Sequence, residues 1–124
     1  MKTVAELMRK KPVYLGPEAT IEQAWLLMRK ERVRHVPICK GLRVVGLITQ
    51  KDLLVNAQNS ALLSLPVAEI MVYNVKTIPP DTSLKDAARI MLDERISCLP
   101  VVADDELKGI LTETDFLEAL IGLL

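Results

Sequence analysis

Two short phrases of the sequence combine a hydroxyl and a carboxylate at a spacing that could bind a ligand. Thr49 stands three residues before Asp52, and Thr112 stands three residues before Asp115. A carboxylate can accept hydrogen bonds from two neighbouring hydroxyl groups, and a threonine at the start of a helix can place its hydroxyl and the first backbone N–H groups around a phosphate. The same spacing is also that of a capping box, which satisfies helix N–H donors without a ligand. The motif alone leaves both interpretations open.

These two phrases belong to an internal repeat that runs through the chain. Gly46–Asp52 (GLITQKD) returns as Gly109–Asp115 (GILTETD) after a shift of 63 positions (46 to 109). At the same shift residues 4–8 (VAELM) fall on residues 67–71 (VAEIM), and no gap is needed. A repeat of this kind has to be considered before any other feature, because it determines how the fold is divided. Each copy is therefore interpreted as half of one domain.

The basic side chains near the motif differ between the copies. Arg34 is a forked donor suited to a phosphate, and Lys51 lies inside the motif, whereas Ser97 and Thr114 stand at the corresponding positions. The alternative for both basic residues is an ordinary solvated charge. His35 is the only histidine and belongs to no recognisable catalytic or metal-binding motif of the sequence, so we do not expect it to be catalytic. The two sites should not be equivalent.

No catalytic or metal-binding pattern accompanies these residues. The sequence contains no Ser/His/Asp arrangement, no metal-ligand cluster and no glycine-rich phosphate loop, which predicts a protein that is not an enzyme. Cys39 and Cys98 lack a CxxC spacing and companion histidines. Their pattern favours reduced, partly buried thiols over a zinc site.

The composition argues against several classes of partner. The chain has 124 residues, 50% of them hydrophobic and 26% charged, which is typical of one soluble globular domain. Sixteen basic residues balance sixteen acidic ones, and one tryptophan, two tyrosines and one phenylalanine are too few for a base-stacking platform. The sequence shows neither a signal-peptide pattern nor an apolar run of about 18 residues. We expect a cytoplasmic protein that binds neither nucleic acid nor a membrane.

Each repeat is predicted to contain helix, strand, helix, strand, strand and helix in that order. The capping signatures Thr20-x-x-Gln23 and Ser83-x-x-Asp86 precede the clearest helices. The other expected elements are extended pieces at 12–15 and 75–78, hairpin strands at 36–39 with 44–48 and at 99–102 with 107–111, and last helices from 52 to about Ala57 and from 115 to about Leu123.

One repeat alone cannot cover both faces of a three-stranded sheet. We therefore expect an α+β fold in which two pseudo-symmetric repeats pack through their three-stranded sheets with the helices outside. The expected division is 1–57 for the first repeat, 58–65 for a linker and 66–124 for the second repeat. An apolar face on the last helix predicts a homodimer through the helical faces. Its residues are Phe116, Leu117, Leu120, Ile121 and Leu124.

With these features in place, the chain resembles a tandem pair of cystathionine beta-synthase (CBS) domains, the Bateman module. The resemblance covers about residues 3–120 and depends on several motifs that recur in order. These are Val-Ala-Glu-apolar-Met, a Pro-x-x-Ser/Thr-apolar helix start, strands containing Pro37 and Pro100, and Gly-apolar-apolar-Thr-x-x-Asp. The resemblance implies binding of adenosine compounds, namely AMP, ADP, ATP or S-adenosylmethionine, in two clefts between the repeats. AMP is the favoured ligand, with no catalytic cofactor.

The resemblance also implies a role for each candidate residue. It places Asp52 and Asp115 on the ribose hydroxyls, and Thr49 and Thr112 beside the phosphate. The remaining candidates are Val13, Tyr14, Lys76 and Thr77 along the adenine pocket, Arg34, His35, Val36, Ser97, Cys98 and Leu99 on the segment that lines each ligand, and Lys51 and Thr114 inside the motif.

Two kinds of function compete on this basis. The first is a stand-alone regulatory module that senses energy state or a metabolite and changes shape, or affinity for an unidentified regulated protein, when it binds its ligand. The second is a ligand-free structural or assembly module that dimerises or docks on a partner, in which the repeated motifs only cap helices. A ligand that binds the folded state alone raises the melting temperature, so heating with and without AMP, ATP or S-adenosylmethionine distinguishes the two.

Overall fold

Helices and short strands alternate along the chain in a computed structural model that describes residues 1–56 and 58–124. In chain order the elements are α1 (Val4–Leu7), β1 (Arg9–Lys10), α2 (Ile21–Glu31), β2 (His35–Lys40), β3 (Arg43–Thr49), α3 (Gln50–Asn56), two 3-10 helices (Ser60–Leu62 and Val67–Glu69), α4 (Leu84–Glu94), β4 (Cys98–Ala103), β5 (Glu106–Thr112) and α5 (Glu113–Leu123). The predicted α+β class is confirmed. The predicted end of α3 at Ala57 lies outside the described residues. Among the helices of the described residues, none combines the length and hydropathy needed to cross a membrane.

The chain forms two compact units that do not coincide with the two sequence repeats. One, called the continuous unit here, is Val13–Val75. The other, called the discontinuous unit, combines Met1–Pro12 with Lys76–Leu124. The first segment of each repeat therefore belongs to the unit that contains the hairpin of the other repeat. These two segments, residues 1–12 and 66–75, are called the exchanged segments here. The repeat limits describe the sequence and stay a prediction, whereas the two units describe where the chain packs.

Backbone hydrogen bonds attach the exchanged segment in the continuous unit. The N–H of Val67 donates to the carbonyl of Ala19 (2.7 Å), and the N–H of Ile21 at the start of α2 donates to Leu65 (2.9 Å). Val72 and Leu47 exchange two bonds of 2.9 and 3.0 Å at the outer edge of β3. The exchanged segment thus continues the sheet and satisfies an N–H group at a helix start, which would otherwise lack a partner.

The discontinuous unit repeats these bonds at the corresponding positions. The N–H of Val4 donates to Thr82 (2.8 Å), and the N–H of Leu84 at the start of α4 donates to the carbonyl of Lys2 (3.0 Å). In place of the single Val72 bridge, the two-residue strand β1 pairs with β5, with Lys10 opposite Gly109. Sequence analysis did not predict β1, because two consecutive basic residues carry no apolar alternation.

One glycine in β3 and one in β5 leave room for a methionine of the exchanged segment. A Cβ atom on Gly109 would lie 2.5 Å from the sulfur of Met8 and 2.9 Å from the carbonyl oxygen of Arg9. A Cβ atom on Gly46 would overlap the sulfur of Met71 and lie 2.9 Å from its Cγ. The repeated methionine and the repeated glycine are therefore the two sides of one contact.

The clearest predicted helices, α2 and α4, are confirmed together with their caps. Thr20 accepts from the N–H of Gln23 (3.1 Å) and its own N–H donates to the Gln23 amide oxygen (2.8 Å). Ser83 accepts from the N–H of Asp86 (3.0 Å). Each helix buries apolar residues spaced three or four positions apart on one face, and two separate cores result. The core of the continuous unit is Ile21, Ala24, Met28, Val36, Ile38, Ile48, Leu53, Val67 and Met71. The core of the discontinuous unit is Val4, Ile78, Ala87, Met91, Leu99, Val101 and Leu111.

Both predicted hairpins form, but the first strand of each repeat is much shorter than expected. The extended piece before α2 contributes one parallel bridge, Leu15 with Ile38. The Leu15 N–H donates to Pro37 (3.1 Å) and its carbonyl accepts from Cys39 (2.8 Å). The next bond of a parallel ladder would run from the N–H of residue 37 to the carbonyl of Val13, and proline has no N–H. Pro100 ends the Ile78 bridge to Val101 in the same way.

Candidate functional site

In the continuous unit, Thr49 and Asp52 form a reciprocal capping box at the start of α3. The N–H and the hydroxyl of Thr49 both donate to Oδ2 of Asp52, at 3.0 and 2.9 Å, and the N–H of Asp52 donates to the Thr49 hydroxyl at 3.2 Å. Both residues are half-buried. Within the described part of the chain, Oδ1 of Asp52 accepts no hydrogen bond, so one carboxylate oxygen is left for another donor.

In the discontinuous unit, Thr112 and Asp115 repeat this arrangement at the start of α5. Thr112 donates to Oδ2 of Asp115 from its N–H (2.8 Å) and its hydroxyl (3.2 Å), and the Asp115 N–H donates back to the hydroxyl at 3.4 Å. The capping interpretation of both Thr-x-x-Asp phrases is confirmed. It engages only Oδ2, so it does not exclude a ligand on Oδ1 in either unit.

Strand register brings the predicted lining residues to the same end of each hairpin as the capping box. His35 lies opposite Thr49 at the end of the β2–β3 ladder, and the N–H of Gln50 donates to the carbonyl of Arg34 (2.9 Å). Cys98 lies opposite Thr112. The carbonyl of Ser97 accepts from the N–H of Glu113 (3.1 Å). In each unit the residue before the hairpin thus accepts a hydrogen bond from the first residue of the helix that follows the hairpin.

The predicted adenine-pocket residues reach this same end because they precede a parallel bridge. Val13 and Tyr14 lie just before Leu15, and Lys76 and Thr77 lie just before Ile78. Since Pro37 and Pro100 cannot donate, the carbonyls of Val13 and Lys76 have no ladder partner there. These two carbonyls are acceptors that sequence analysis did not single out, because the residue opposite each proline is known only from the strand register.

Several predicted site residues direct their side chains elsewhere. Val36 and Leu99 are fully buried in the two cores, so only their backbone groups remain for a ligand. The ammonium group of Lys76 lies 3.7 Å from a carboxylate oxygen of Glu94 in an exposed ion pair. Tyr14 is 44% exposed. At these positions backbone groups and the partly exposed phenol of Tyr14 remain available to a ligand.

The charged side chains at the two helix starts differ in sign. Arg34, Gln50 and Lys51 are exposed in the continuous unit, as are Glu113 and Thr114 in the discontinuous one. The ion pairs among residues 1–56 and 58–124 are Lys76–Glu94 and Lys108–Glu106, so neither Arg34 nor Lys51 is neutralised by one. Sequence analysis missed Gln50 and Glu113, and a position-by-position comparison of the repeats would have found them.

Both cysteines are free, buried thiols, as predicted. Burial raises the pKa of Cys98 to about 12, and the negative charge of Asp115 adds to that rise. Burial raises the pKa of Cys39 to about 11. Both groups are therefore neutral at physiological pH. In the described part of the chain, no group of three His, Cys, Asp or Glu side chains is placed to hold a metal ion.

Comparison with known proteins assigns sequence relatives to nearly the whole chain. The sequence profile of the CBS domain matches residues 4–58 and 67–122. The inosine-5'-monophosphate dehydrogenase of Korarchaeum cryptofilum (strain OPF8) is 34% identical over 104 residues, which cover 83% of this chain and 21% of that enzyme. The chain therefore spans about a fifth of the length of the curated relatives it matches.

Solved structures of similar proteins match nearly the full length of this chain. A protein assigned to acetoin utilization (AcuB) from Vibrio cholerae has a TM-score of 0.90 and 36% identity, covering 99% of this chain and 93% of its own. The CBS domain pair of protein MJ0100, in complex with 5'-methylthioadenosine and S-adenosyl-L-methionine, has a TM-score of 0.89 and 27% identity, covering 98% of each chain. CBSX2 in complex with AMP has a TM-score of 0.87 and 27% identity, covering 99% and 98%. With two profile matches and the capped Thr-x-x-Asp phrase in both copies, the chain belongs to the CBS domain family as a tandem pair.

Proposed function

We propose that this CBS pair is a regulatory module that binds adenosine-containing ligands, with AMP the favoured one, and acts as an energy or metabolite sensor in the cytoplasm. The observation that carries the proposal is the half-used carboxylate of Asp52 and of Asp115, in which Oδ2 caps a helix and Oδ1 accepts nothing within the described residues. The ligands of MJ0100 and CBSX2, two similar CBS proteins, support the same class of compound.

Each chemical part of such a ligand has a matching group. The ribose hydroxyls would donate to the free Oδ1 of Asp52 or Asp115, because a carboxylate oxygen has lone pairs for two donors. The exocyclic amine of adenine would donate to the carbonyl of Val13 or Lys76, which Pro37 and Pro100 leave without a ladder partner. A phosphate in the continuous unit would be paired with Arg34 and Lys51. We propose that the clefts lie between the two repeats.

A calorimetric titration with AMP, ATP, S-adenosylmethionine and GMP tests this function. Asp52→Asn and Asp115→Asn are the informative variants, because asparagine keeps one acceptor oxygen for the cap and replaces the second oxygen by a donor. We expect binding of at least one adenosine compound, weaker binding of GMP, and loss of binding in the double variant at an unchanged melting temperature. Absence of binding by every adenosine compound, or equal binding by the double variant, would exclude the proposal.

The second candidate, an assembly module, is favoured by the last helix. Leu117 and Ile121 of α5 and Leu124 directly after it are 59, 71 and 96% exposed, which is more apolar surface than one solvated helix normally carries. We propose that a second copy covers this face and that the two functions coexist in a homodimer. Sedimentation equilibrium at micromolar concentration should give a dimer, and Leu117→Glu with Ile121→Glu should give a monomer. A monomeric wild-type protein would remove the dimer from the proposal.

A further inference from the structure

We propose that the two Thr-x-x-Asp sites differ in the ligand charge that they select. The site of Asp52 takes a phosphorylated adenosine compound, and the site of Asp115 takes an adenosine compound without phosphate, such as a nucleoside, a thioether or a sulfonium. This inference rests on the proposed function and assigns a ligand class to each of its two sites.

Three corresponding positions change charge in the same direction between the units. Arg34 corresponds to Ser97, Gln50 to Glu113, and Lys51 to Thr114, and each replacement makes the second site more negative by one unit. Counting the aspartates, the first set (Arg34, Lys51, Asp52) has a net charge of +1 and the second (Glu113, Asp115) has a net charge of −2. The whole chain is neutral, so this contrast is local.

The structure places these three positions together in each unit. The hydrogen bond from Gln50 to the carbonyl of Arg34 (2.9 Å) puts residues 34 and 50 side by side, and Lys51 follows directly. The bond from Glu113 to the carbonyl of Ser97 (3.1 Å) does the same in the other unit. All of these contacts lie at the end of the hairpin that carries the capping box, so the charge difference acts where the ligand would sit.

Other contacts in the described chain do not cancel this difference. Arg34 and Lys51 make no ion pair with any described residue, and their side chains are exposed. The residue opposite the capping threonine also differs, since a buried thiol (Cys98) stands where the first site has an imidazole (His35). A phosphate therefore meets two cations beside the Asp52 carboxylate in the first site. In the second site it meets two carboxylates and a neutral thiol, and the nearby Lys76 is already paired with Glu94.

Coulomb's law indicates the size of the effect. Three unit charges within several ångströms of a phosphate, screened by water, change its affinity by roughly tenfold to a hundredfold at low salt. The effect on an uncharged nucleoside is much smaller, because it has no charge for the field to act on. Selectivity should therefore appear in the ratio of AMP to adenosine affinity and should decrease as salt is added.

The test measures AMP, adenosine and S-adenosylmethionine binding by calorimetry at low and high salt. Asp52→Asn and Asp115→Asn assign each binding event to a site. We expect AMP to be lost with Asp52→Asn, and S-adenosylmethionine or adenosine to be lost with Asp115→Asn. Arg34→Ser with Lys51→Thr should lower the AMP to adenosine affinity ratio of the first site at least tenfold. Glu113→Gln with Thr114→Lys should raise that ratio at the second site.

A matched control removes the same two charges elsewhere on the same hairpin. Lys40 and Arg43 flank the β2–β3 turn, at the end away from Thr49. Lys40→Thr with Arg43→Ser should therefore leave the AMP to adenosine ratio within about twofold of wild type. Equal ratios at both sites, or equal effects of the control and the Arg34/Lys51 pair, would overturn the charge assignment while leaving the proposed function intact. No binding of any adenosine compound would instead overturn the proposed function.

Discussion

At the start of α3 and of α5 the two units make the same hydrogen bonds beside different charges. Thr49 with Asp52 and Thr112 with Asp115 form capping boxes whose distances differ by no more than 0.3 Å between corresponding bonds. The neighbouring positions change from Arg34, Gln50 and Lys51 to Ser97, Glu113 and Thr114. The capping residues are thus alike in the two copies, whereas the charges beside them differ.

Removing the exchanged segment from a unit should have the largest effect on its stability. We expect a fragment of residues 13–75 to fold cooperatively, because it contains every residue of the continuous unit's core. A fragment of residues 1–57, which is the first sequence repeat, lacks Val67 and Met71 of that core and should remain unfolded. Circular dichroism during urea titration measures both. Cooperative unfolding of 1–57 alone would show that the exchange is dispensable.

Gly46 and Gly109 meet different atoms of the exchanged segments, so their substitution by alanine should have different costs in stability. Gly109→Ala should cost about 1–3 kcal/mol of unfolding free energy, since its Cβ meets both the Met8 side chain and the backbone oxygen of Arg9. Gly46→Ala should cost less, because the three nearest atoms all belong to the flexible Met71 side chain. Denaturant unfolding measures both costs. In a Met71→Ala background the cost of Gly46→Ala should fall, whereas the cost of Gly109→Ala should stay the same.

Gly122→Ala is the matched control for those two substitutions. A Cβ on Gly122 has no neighbour within 4 Å, and the residue lies inside α5. Alanine should therefore stabilise the helix there by about 0.5–1 kcal/mol. Equal costs at Gly46 and Gly109 would mean that the Arg9 carbonyl moves as readily as a methionine side chain.

Local patterns in the sequence were enough to predict α2, α4, both hairpins and both capping boxes, because each depends on residues three or four apart or on a short alternation. The exchange of segments could not be predicted, since Met8 with Gly109 and Met71 with Gly46 are contacts between distant positions. The same holds for the free carbonyls of Val13 and Lys76, which follow from the absence of an N–H on a proline in another strand. Motif spacing therefore pointed to the candidate site, whereas the two carbonyl acceptors could be identified only from the strand register.

The two thiols differ in how strongly they should make stability depend on pH. In the unfolded chain both ionise near pH 9.0, and burial raises the folded pKa of Cys98 to about 12 and that of Cys39 to about 11. A raised folded pKa gives stability that is complete below pH 9 and is lost as the pH rises toward the folded value. One thiol of this kind should cost about 1.4 kcal/mol of unfolding free energy between neutral pH and pH 10.

Urea unfolding at pH 8, 9, 10, 11 and 12 measures this loss. Cys98→Ala should flatten the profile up to about pH 12, and Cys39→Ala should flatten it only up to about pH 11, whatever each substitution costs at pH 8. Profiles that stay parallel to wild type would show that other groups, such as the lysines, dominate the alkaline loss of stability.

The smallest effects should separate capping from ligand contact at Asp52 and Asp115. Replacing either by alanine removes the acceptor of two bonds at a helix start and should cost about 0.5–2 kcal/mol of stability. Because capping is present in both units, stability alone cannot reveal a ligand role. The second measurement is the affinity for AMP or adenosine and for the corresponding 2',3'-dideoxy compound.

If a carboxylate holds the ribose, removing the carboxylate or removing the hydroxyls breaks the same contact. The combined loss should then be smaller than the sum of the two separate losses, because a contact cannot be lost twice. Calorimetry on each aspartate variant with both ligands gives this coupling directly, and the site with the larger coupling is the one that the ligand occupies. Full additivity at Asp52 and at Asp115 would leave both residues as helix caps. Coupling at only one of them would mean that the two units, alike in their caps, differ in ribose contact, with only one carboxylate holding the ligand.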